Sequence, residues 1–300
     1  MDYSNDRDFI GYGNKKPKFL WPKKSKIAIS IVVNIEEGAE QTISSGDEKN
    51  EMVYEGANGN LIANIPDLCM ESHFEYGTRA GIWRILDLLD KYTMKATMSC
   101  CSRAIEKSPW LASEIIKRGH EIAAHSVRWE SHASMNKNDE KKIIAKCYDS
   151  LKKNVGLGPV GWHTRSATSL YTRKLLVDHG GFLYDSNSYN DDLPQLKNID
   201  GKSFVVLPYS FDTNDMRFES GGFVFGSDFS KYCIDTFDQL YKEGQDSPKM
   251  MSVGLHPRII GRPGRIAGLE LFLEHISNKE KVWVTKRNEI AQFWNDTFKI

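Results

Sequence analysis

Apolar runs of strand length alternate along the chain with segments whose apolar positions recur at helical spacing. KIAISIVVNIEEG, starting at Lys26, is an almost continuous apolar run that ends in acids, which indicates a buried strand. In GTRAGIWRILDLLDKY, apolar residues from Ile82 to Leu89 fall on one helical face, and KATMSCCS follows as a second strand. The first third of the chain therefore predicts a strand, a helix and a second strand.

The same alternation continues toward the carboxyl terminus. PWLASEIIKRG opens with Ser108 and Pro109, a typical pair for a helix start, and leads into the strand HEIAAHS. Further helices are predicted after Asn138 and in SLYTRKLLVDHGG, DFSKYCIDTFDQLYKEG and RIAGLELFLEHIS. They alternate with predicted strands near VGWHT, FLYDSNS, KSFVVLPYS and PKMMSVGLH. KVWVTKRNEI is predicted as a last strand and tail. About eight strands alternating with helices favour an α/β fold closed as a parallel (β/α) barrel over an open doubly wound sheet. No GxGxxG or GxxxxGK[ST] follows a strand, which weakens the case for nucleotide binding.

Length and charge narrow the class of protein. With 300 residues and 40% hydrophobic content, the chain can form one barrel-sized domain, and its glycines and prolines mark no linker. We expect residues 1–25 to be an N-terminal extension that packs on the barrel, and residues 26–300 to be the single barrel. Lys plus Arg and Asp plus Glu each number 40, so no net charge favours nucleic acid or a membrane as partner. A small-molecule partner fits better.

The amino-terminal sequence and the cysteines bear on compartment. MDYSNDRDFIGYG carries acids where a secretory signal starts with basic residues, and no apolar leader follows. The longest apolar runs are too short to cross a bilayer. The five cysteines show no CxxC spacing for zinc or redox chemistry. We therefore expect a cytoplasmic protein with reduced core thiols.

Polar side chains collect where the predicted strands end, and the carboxyl ends of barrel strands are where such folds build their active sites. A carboxylate, a histidine and an arginine that converge from different strands can act as general base, general acid and oxyanion stabiliser in amide hydrolysis. In chain order the groups are Asn34, Glu36 and Glu37; His125 and Arg128; His163 and Arg165; Asp185, Asp191 and Asp192; Asp212, Asn214, Asp215 and Arg217; and His256 and Arg258.

Each of these groups also has an ordinary structural interpretation. Paired acids are usually solvated or salt-bridged, and a single histidine such as His125 carries little specificity. The arginines of GLHPRIIGRPGR either bind a substrate anion or oxyanion, or connect strand seven to nearby acids. Most of the aspartates are expected to cap helices or hold loops. Aromatic residues near the strand ends line a pocket for a ring-shaped substrate or belong to the core: Tyr76, Trp129, Trp162, Tyr184, Tyr189 and Phe218.

Alternation along the first strand separates its two acids. Asn34 and Glu36 share one face of the strand, while Ile35 and Glu37 share the other. Because Ile35 suits the packed layer between strands and helices, Asn34 and Glu36 are expected to point inward to the barrel mouth. This argument predicts Glu36 as the general base and Glu37 as a more structural acid.

Ordered segments across nearly the whole chain resemble the polysaccharide deacetylase superfamily, whose NodB-homology domain is a distorted (β/α) barrel. The segments are DFIGYG, VVNIEEGAE, MESHFEYGTRAGIWR, GHEIAAHSVRW, GGFLYDSNSYNDDLP, LPYSFDTNDMRF and GLHPRIIGRPGR, and they are most similar to the branch that contains the metal-independent bacterial allantoinases. The resemblance implies a hydrolase of carbon–nitrogen bonds other than peptide bonds, most readily one that opens a cyclic ureide in purine catabolism. We also expect a homo-oligomer.

The resemblance also bears on cofactors. Metal-dependent members have an aspartate pair after strand one and a His-x-x-x-His pair, whereas here the first segment runs from Asn34 to Glu37 and Trp129 stands four residues after His125. An indole cannot ligate zinc, and one carboxylate with one histidine is fewer than the usual three protein ligands. We expect no cofactor, with a weakly bound divalent metal left open. The segment GWHTRSATS departs from the glycine-rich form of allantoinases, so a shifted substrate stays open too.

The expected reaction is attack of water on a ring carbonyl of a cyclic ureide. Glu36 is expected to be the base, His256 or His125 the proton donor to the leaving nitrogen, and Arg165 or Arg258 the oxyanion stabiliser. Two alternatives stay open: a carbohydrate N-deacetylase acting on amino sugars of the chitin or peptidoglycan type, and a non-catalytic ligand-binding barrel. The substrate contacts expected are Asn34, Glu37, Trp129, Trp162, Asp215 and Arg258.

Overall fold

A computed structural model of the protein describes residues 7–52 and 64–298, and within them the strands form one curled sheet. The sheet order is β6-β7-β5-β4-β3-β2-β1-β8, with β9 paired to β1. All pairings are parallel except the β6–β7 hairpin, which is antiparallel and was not predicted. Strands β1 to β9 are Ile27–Ile35, Thr97–Cys100, Glu121–Ala124, Gly161–Trp162, Tyr184–Asp185, Gln195–Ile199, Lys202–Val206, Lys249–Leu255 and Val282–Val284.

Helices cover the outside of the sheet. One of them corrects the sequence analysis: the stretch expected to be a tail forms α9, because Ile290, Ala291 and Trp294 lie at helical spacing and are buried. A π-helical turn, Gly77–Gly81, joins α1 to α2, and a 3₁₀ turn covers Asp215–Phe218. Helices α1 to α9 are Leu68–Tyr76, Ile82–Lys91, Ser102–Lys107, Pro109–Lys117, Lys137–Val155, Thr172–His179, Gly226–Glu243, Pro263–Ser277 and Arg287–Thr297.

The sheet closes only partly, through irregular chain segments that follow β5 and β7 and contact β8. The backbone N–H of Gly254 donates to the carbonyl of Thr213 at 2.9 Å, and that of Met250 donates to the carbonyl of Asp192 at 2.8 Å. Loop segments thus take the place of a closing strand pair. The result is an α/β protein with a curled half-barrel sheet, which confirms the distorted barrel expected from the sequence.

The core has two parts because β1 is buried on both faces. Its odd positions, from Ile27 to Ile35, pack in the main apolar cluster. The interior of the barrel is partly polar, and Arg287 fills it: the buried guanidinium donates to the hydroxyls of Ser30 and Ser252 at 3.3 and 3.0 Å. The lower barrel is therefore a largely packed interior.

The N-terminal extension packs at the opposite end of the barrel, and its residues 1–6 lie outside the described residues. Trp21 is buried, its ring lies 5.7 Å from that of Trp283, and its indole N–H donates to the carbonyl of Lys249 at 2.9 Å. Phe19 packs edge-on against Trp21 and Trp294. Within residues 7–52 and 64–298, none of the helices is both long enough and apolar enough to span a membrane.

Candidate active site

A cavity of about 630 Å³ opens at the carboxyl ends of the strands, large enough for a small molecule. Its walls come from chain segments that follow β1, β3, β4, β5, β7 and β8, as a barrel site requires. The lining residues are Asn34, Glu36, Met52, His125, Trp129, His163, Arg165, Ser166, Tyr189, Tyr209, Phe211, Asp212, Asn214, Met216, Arg217, Glu219, Ser220 and His256.

Glu36 is the centre of the charged network in this cavity. Nη1 of Arg258 donates to Oε2 of Glu36 at 2.7 Å, and Nε2 of His125 and of His256 lie 3.3 and 3.4 Å from Oε1. Burial alone would raise the pKa of Glu36, but the charges of His256 and Arg258 and these contacts hold it well below its usual range. Glu36 is therefore an ionised carboxylate although it is only 1% exposed.

His256 is fixed in place by Asp215. Its Nδ1 lies 2.6 Å from Oδ1 of Asp215, whose Oδ2 accepts the backbone N–H groups of His256 and Ile260 at 2.7 and 3.2 Å. Burial opposes the charged ring, but the carboxylates of Glu36 and Asp215 raise the pKa of His256 to about 10. His256 is thus an imidazolium ion at neutral pH.

His125 and His163 form a stacked pair on another wall. Nδ1 of His125 donates to the backbone carbonyl of His163 at 2.8 Å, so its Nε2 is the atom that faces Glu36. The two rings are 4.8 Å apart and nearly parallel. Burial holds the pKa of His163 well below its usual value, and neither of its ring nitrogens has a partner among the described residues. His163 therefore offers the cavity one neutral donor and one acceptor.

Trp129 lies between two arginines. The guanidinium carbons of Arg258 and Arg165 are 4.9 and 3.5 Å from its ring centroid, and Phe74 contacts Arg258 at 4.5 Å from its own centroid. Arg165 also binds both carboxylate oxygens of Glu51, at 2.6 and 3.0 Å. The charge of Arg165 is therefore paired with a carboxylate at the cavity rim.

Four of the expected substrate contacts lie behind the cavity wall. Trp162 is fully buried in the core, and its indole N–H donates to Thr164 at 2.8 Å. Glu37 packs against the π-helical turn, with Oε2 accepting the backbone N–H of Glu36 at 3.1 Å. Asp215 lies behind His256, which it contacts at 2.6 Å, and Arg258 lies behind Glu36, which it contacts at 2.7 Å. None of these four residues lines the cavity, although Oε1 of Glu37 and Nε and Nη2 of Arg258 are buried without a hydrogen-bond partner among the described residues; their contact with substrate stays a prediction.

The burial of Glu37 affects its protonation. Desolvation raises the pKa of Glu37 to about 7 although Arg258, 4.0 Å away, opposes the rise.

Asn34 and Glu36 line the cavity whereas Ile35 is in the core. These positions match the alternation predicted for the first strand.

Sequence reasoning missed several lining residues, among them Tyr209 and Glu219. The hydroxyl of Tyr209 accepts from the side-chain amide of Asn34 at 2.9 Å. Glu219 follows the 3₁₀ turn that begins at Asp215, and burial raises its pKa to about 7. The sequence spacing could have identified Glu219, because it follows Asp215 by four residues and this spacing puts both acids on one face of a helix.

A divalent metal does not fit the site residues as they are placed. Within the described ranges, no group of three or more histidine, cysteine, aspartate or glutamate side chains could hold an ion. Near Glu36 the positive charge instead comes from Arg258 and His256, and Trp129 packs on Arg258. This donor set differs from the three-ligand sites typical of catalytic zinc.

Comparison with known proteins places the chain among hydrolases. A family model described as polysaccharide deacetylase matches residues 65–179. A Schizosaccharomyces pombe protein assigned to the polysaccharide deacetylases is 39% identical over 92% of each chain, and a Helicobacter pylori peptidoglycan deacetylase is 30% identical over 72% of this chain and 84% of its own. The crystal structure of PuuE allantoinase is 40% identical, with a TM-score of 0.94 over 99% of each chain. This chain belongs to the polysaccharide deacetylase family, hydrolases of carbon–nitrogen bonds other than peptide bonds.

Proposed function

We propose that the protein hydrolyses a ring amide of a cyclic ureide such as allantoin. The observation that carries the proposal is a set of polar atoms without partners among the described residues, all on residues that line one cavity: Oδ1 of Asn34, both ring nitrogens of His163 and both carboxyl oxygens of Glu219. A ureide ring offers alternating N–H and C=O groups in a plane, and buried donors and acceptors favour a ligand that pairs with them.

The aromatic residues of the cavity support a flat ligand. Tyr189 and Phe211 stack 4.0 Å apart, and Tyr209 packs against His163 at 4.6 Å between ring centroids. Trp129 adds a further ring to the wall. Such surfaces bind a small planar ring through its faces while the polar atoms fix its orientation. The similarity to PuuE allantoinase over nearly the whole chain supports the same substrate class.

The proposed chemistry uses protein side chains alone. Glu36 accepts a proton from the attacking water; its low pKa makes it a modest base but keeps it ionised throughout the neutral range. His256, positively charged and held by Asp215, stabilises the negative charge that develops on the carbonyl oxygen. This assignment replaces Arg165 and Arg258, since the first is paired with Glu51 and the second is fully buried.

A second candidate is N-deacetylation of an amino sugar, which the name of the Helicobacter pylori relative favours. The donor set around Glu36 counts against it, because deacetylases of the metal-dependent type need ligands that this site does not bring together. A barrel that binds a ureide without turnover would use the same cavity but would not need the charged network around Glu36.

One experiment separates the three functions. Purified protein is analysed for bound metal and then offered allantoin, hydantoin and N-acetylated chitin oligomers, each with and without EDTA, and Glu36→Gln serves as the matched inactive control. We expect ureide opening that survives EDTA and well under one equivalent of zinc, cobalt or nickel. Acetate release that EDTA abolishes would establish the deacetylase, and ureide binding by calorimetry without turnover would establish the binding protein.

A further inference from the structure

Glu219 lines the cavity but takes no part in the ion pairs around Glu36. Both of its carboxyl oxygens are inaccessible to solvent, and neither has a hydrogen-bond partner among the described residues. A buried polar group without a partner costs free energy, and an ionised one costs more. A carboxyl kept in this state at a cavity wall is typical of a group that pairs only when a ligand is bound.

The backbone fixes Glu219 relative to His256. The N–H of Glu219 donates to the carbonyl of Met216 at 2.9 Å, which ends the 3₁₀ turn Asp215–Phe218. Asp215, at the start of the same turn, holds the ring of His256 at 2.6 Å. One short turn thus sets the position of the imidazolium and of the carboxyl on the same wall of the cavity.

The electrostatic surroundings of Glu219 differ from those of Glu36. Burial is the main cause that raises the pKa of Glu219 to about 7; Arg258 and His256 oppose the rise, while Asp215 and Glu36 add to it. Arg217, another cation that lines the cavity, stacks on the rings of Phe223 and Tyr232, with its guanidinium carbon 4.7 and 4.4 Å from their centroids. When the pKa of one carboxyl group in a site is raised and that of another is lowered, the first usually acts as the acid and the second as the base.

We propose that Glu219 is the general acid of the site and protonates the leaving nitrogen of the substrate amide. The inference rests on the proposed function and completes it. Water adds to the ring carbonyl as one of its protons passes to Glu36, giving a tetrahedral intermediate. The carbon–nitrogen bond then breaks while the proton of Glu219 moves to the ring nitrogen, leaving a carboxylic acid and an NH2 group. Transfer of the proton from Glu36 to Glu219, directly or through water, restores both groups.

The geometry and protonation of His256 favour this division of roles. His256 is paired with Asp215 on one nitrogen and faces Glu36 with the other, so its protons are already held by carboxylates. With a pKa of about 10 it gives up a proton less readily than Glu219. A permanent cation is better suited to stabilise an oxyanion, which leaves proton donation to Glu219.

The test compares Glu219→Gln with Glu37→Gln, using allantoin as substrate. Burial raises the pKa of Glu37 to about 7 as well, but Glu37 lies outside the cavity, so it is the matched control. We expect kcat/KM of wild-type protein to fall as the pH rises above about 7, because the acid must be protonated. In Glu219→Gln, kcat/KM at pH 6.5 should be lower than in wild-type protein by roughly a hundredfold or more, and it should no longer fall above pH 7. In Glu37→Gln, the fall of kcat/KM above pH 7 should remain.

A readout without substrate separates this inference from the proposed function. Glutamine resembles a protonated glutamate in size, so both variants should fold, which circular dichroism checks. Because Glu37 also titrates near pH 7, infrared difference spectra are recorded in the Glu37→Gln background, where the remaining protonated-carboxyl band that titrates near pH 7 should be lost on adding Glu219→Gln. Persistence of that band, or a kcat/KM loss below tenfold with the fall above pH 7 intact, would overturn the role of Glu219. Wild-type protein that fails to open allantoin would instead overturn the proposed function.

Discussion

Asp215 holds the ring of His256 with one carboxylate oxygen and the backbone N–H of the same residue with the other. This double attachment fixes both the orientation and the charge of the ring at the end of β8. It also makes the positive charge of His256 depend on a fully buried residue that does not line the cavity.

Replacing Asp215 with Asn removes one of the two carboxylates that raise the pKa of His256. We expect that pKa to fall toward its ordinary value and kcat/KM at pH 8 to drop by roughly tenfold to a hundredfold. Nuclear magnetic resonance of ring-labelled histidine measures the titration directly. Asp212→Asn, which removes an exposed acid near the same turn, is the control and should leave the His256 titration in place.

Glu36→Gln should abolish turnover, by roughly a hundredfold or more, and should also destabilise the protein. The structure adds the second expectation, because the change leaves Arg258 and His256 as buried cations with one carboxylate fewer. Breaking a buried pair costs about 3–5 kcal/mol, whereas replacing both partners is often close to neutral. We therefore expect Glu36→Gln/Arg258→Met to regain much of the lost free energy of unfolding in urea titrations while staying inactive. Equal instability of the single and double variants would contradict this account.

Glu37 gives a prediction for stability against pH. Its pKa is raised from 4.5 to about 7 on folding, so its contribution to stability is complete below about pH 4.5 and is lost as the pH rises through 7. The loss is on the order of 3 kcal/mol at most. Glu37→Gln should therefore lose less stability than wild-type protein between pH 4.5 and 7.5 in urea titrations. If the free energy of unfolding changed with pH equally in the two proteins, Glu37 would not titrate in this range.

The thiols offer a simple check on packing. All five cysteines are free; four of them are buried, and Cys69 is exposed. We expect native protein to react rapidly with about one equivalent of a thiol reagent such as DTNB, and Cys69→Ser to remove that fast phase, because burial protects the other thiols. Reductant should leave the melting temperature unchanged. Rapid labelling of several thiols in the native state would show that the core opens more readily than the structure indicates.

The barrel was predictable because its strands and most helices carry strong periodic patterns, as β1 and α2 do. The inward position of Asn34 and Glu36 followed from alternation alone. Trp162 was placed at the site because it ends a strand, but whether a strand-end indole faces the cavity or the core depends on packing against other elements. Glu219 was missed because it follows an irregular segment that no strand pattern locates. The homo-oligomer, the cytoplasmic location and the link to purine catabolism stay predictions.

The bond between Arg258 and Glu36 joins positions 222 residues apart. During synthesis on the ribosome, β1 emerges early, but its carboxylate has no guanidinium partner until the chain has grown past residue 258. In a shorter nascent chain, Glu36 would have His125 but neither His256 nor Arg258 as a partner, so its carboxylate would be more stable exposed to water at an open sheet edge. We therefore expect the site to be among the last parts of the molecule to form, and chains truncated before Arg258 to be more sensitive to proteases than the full chain.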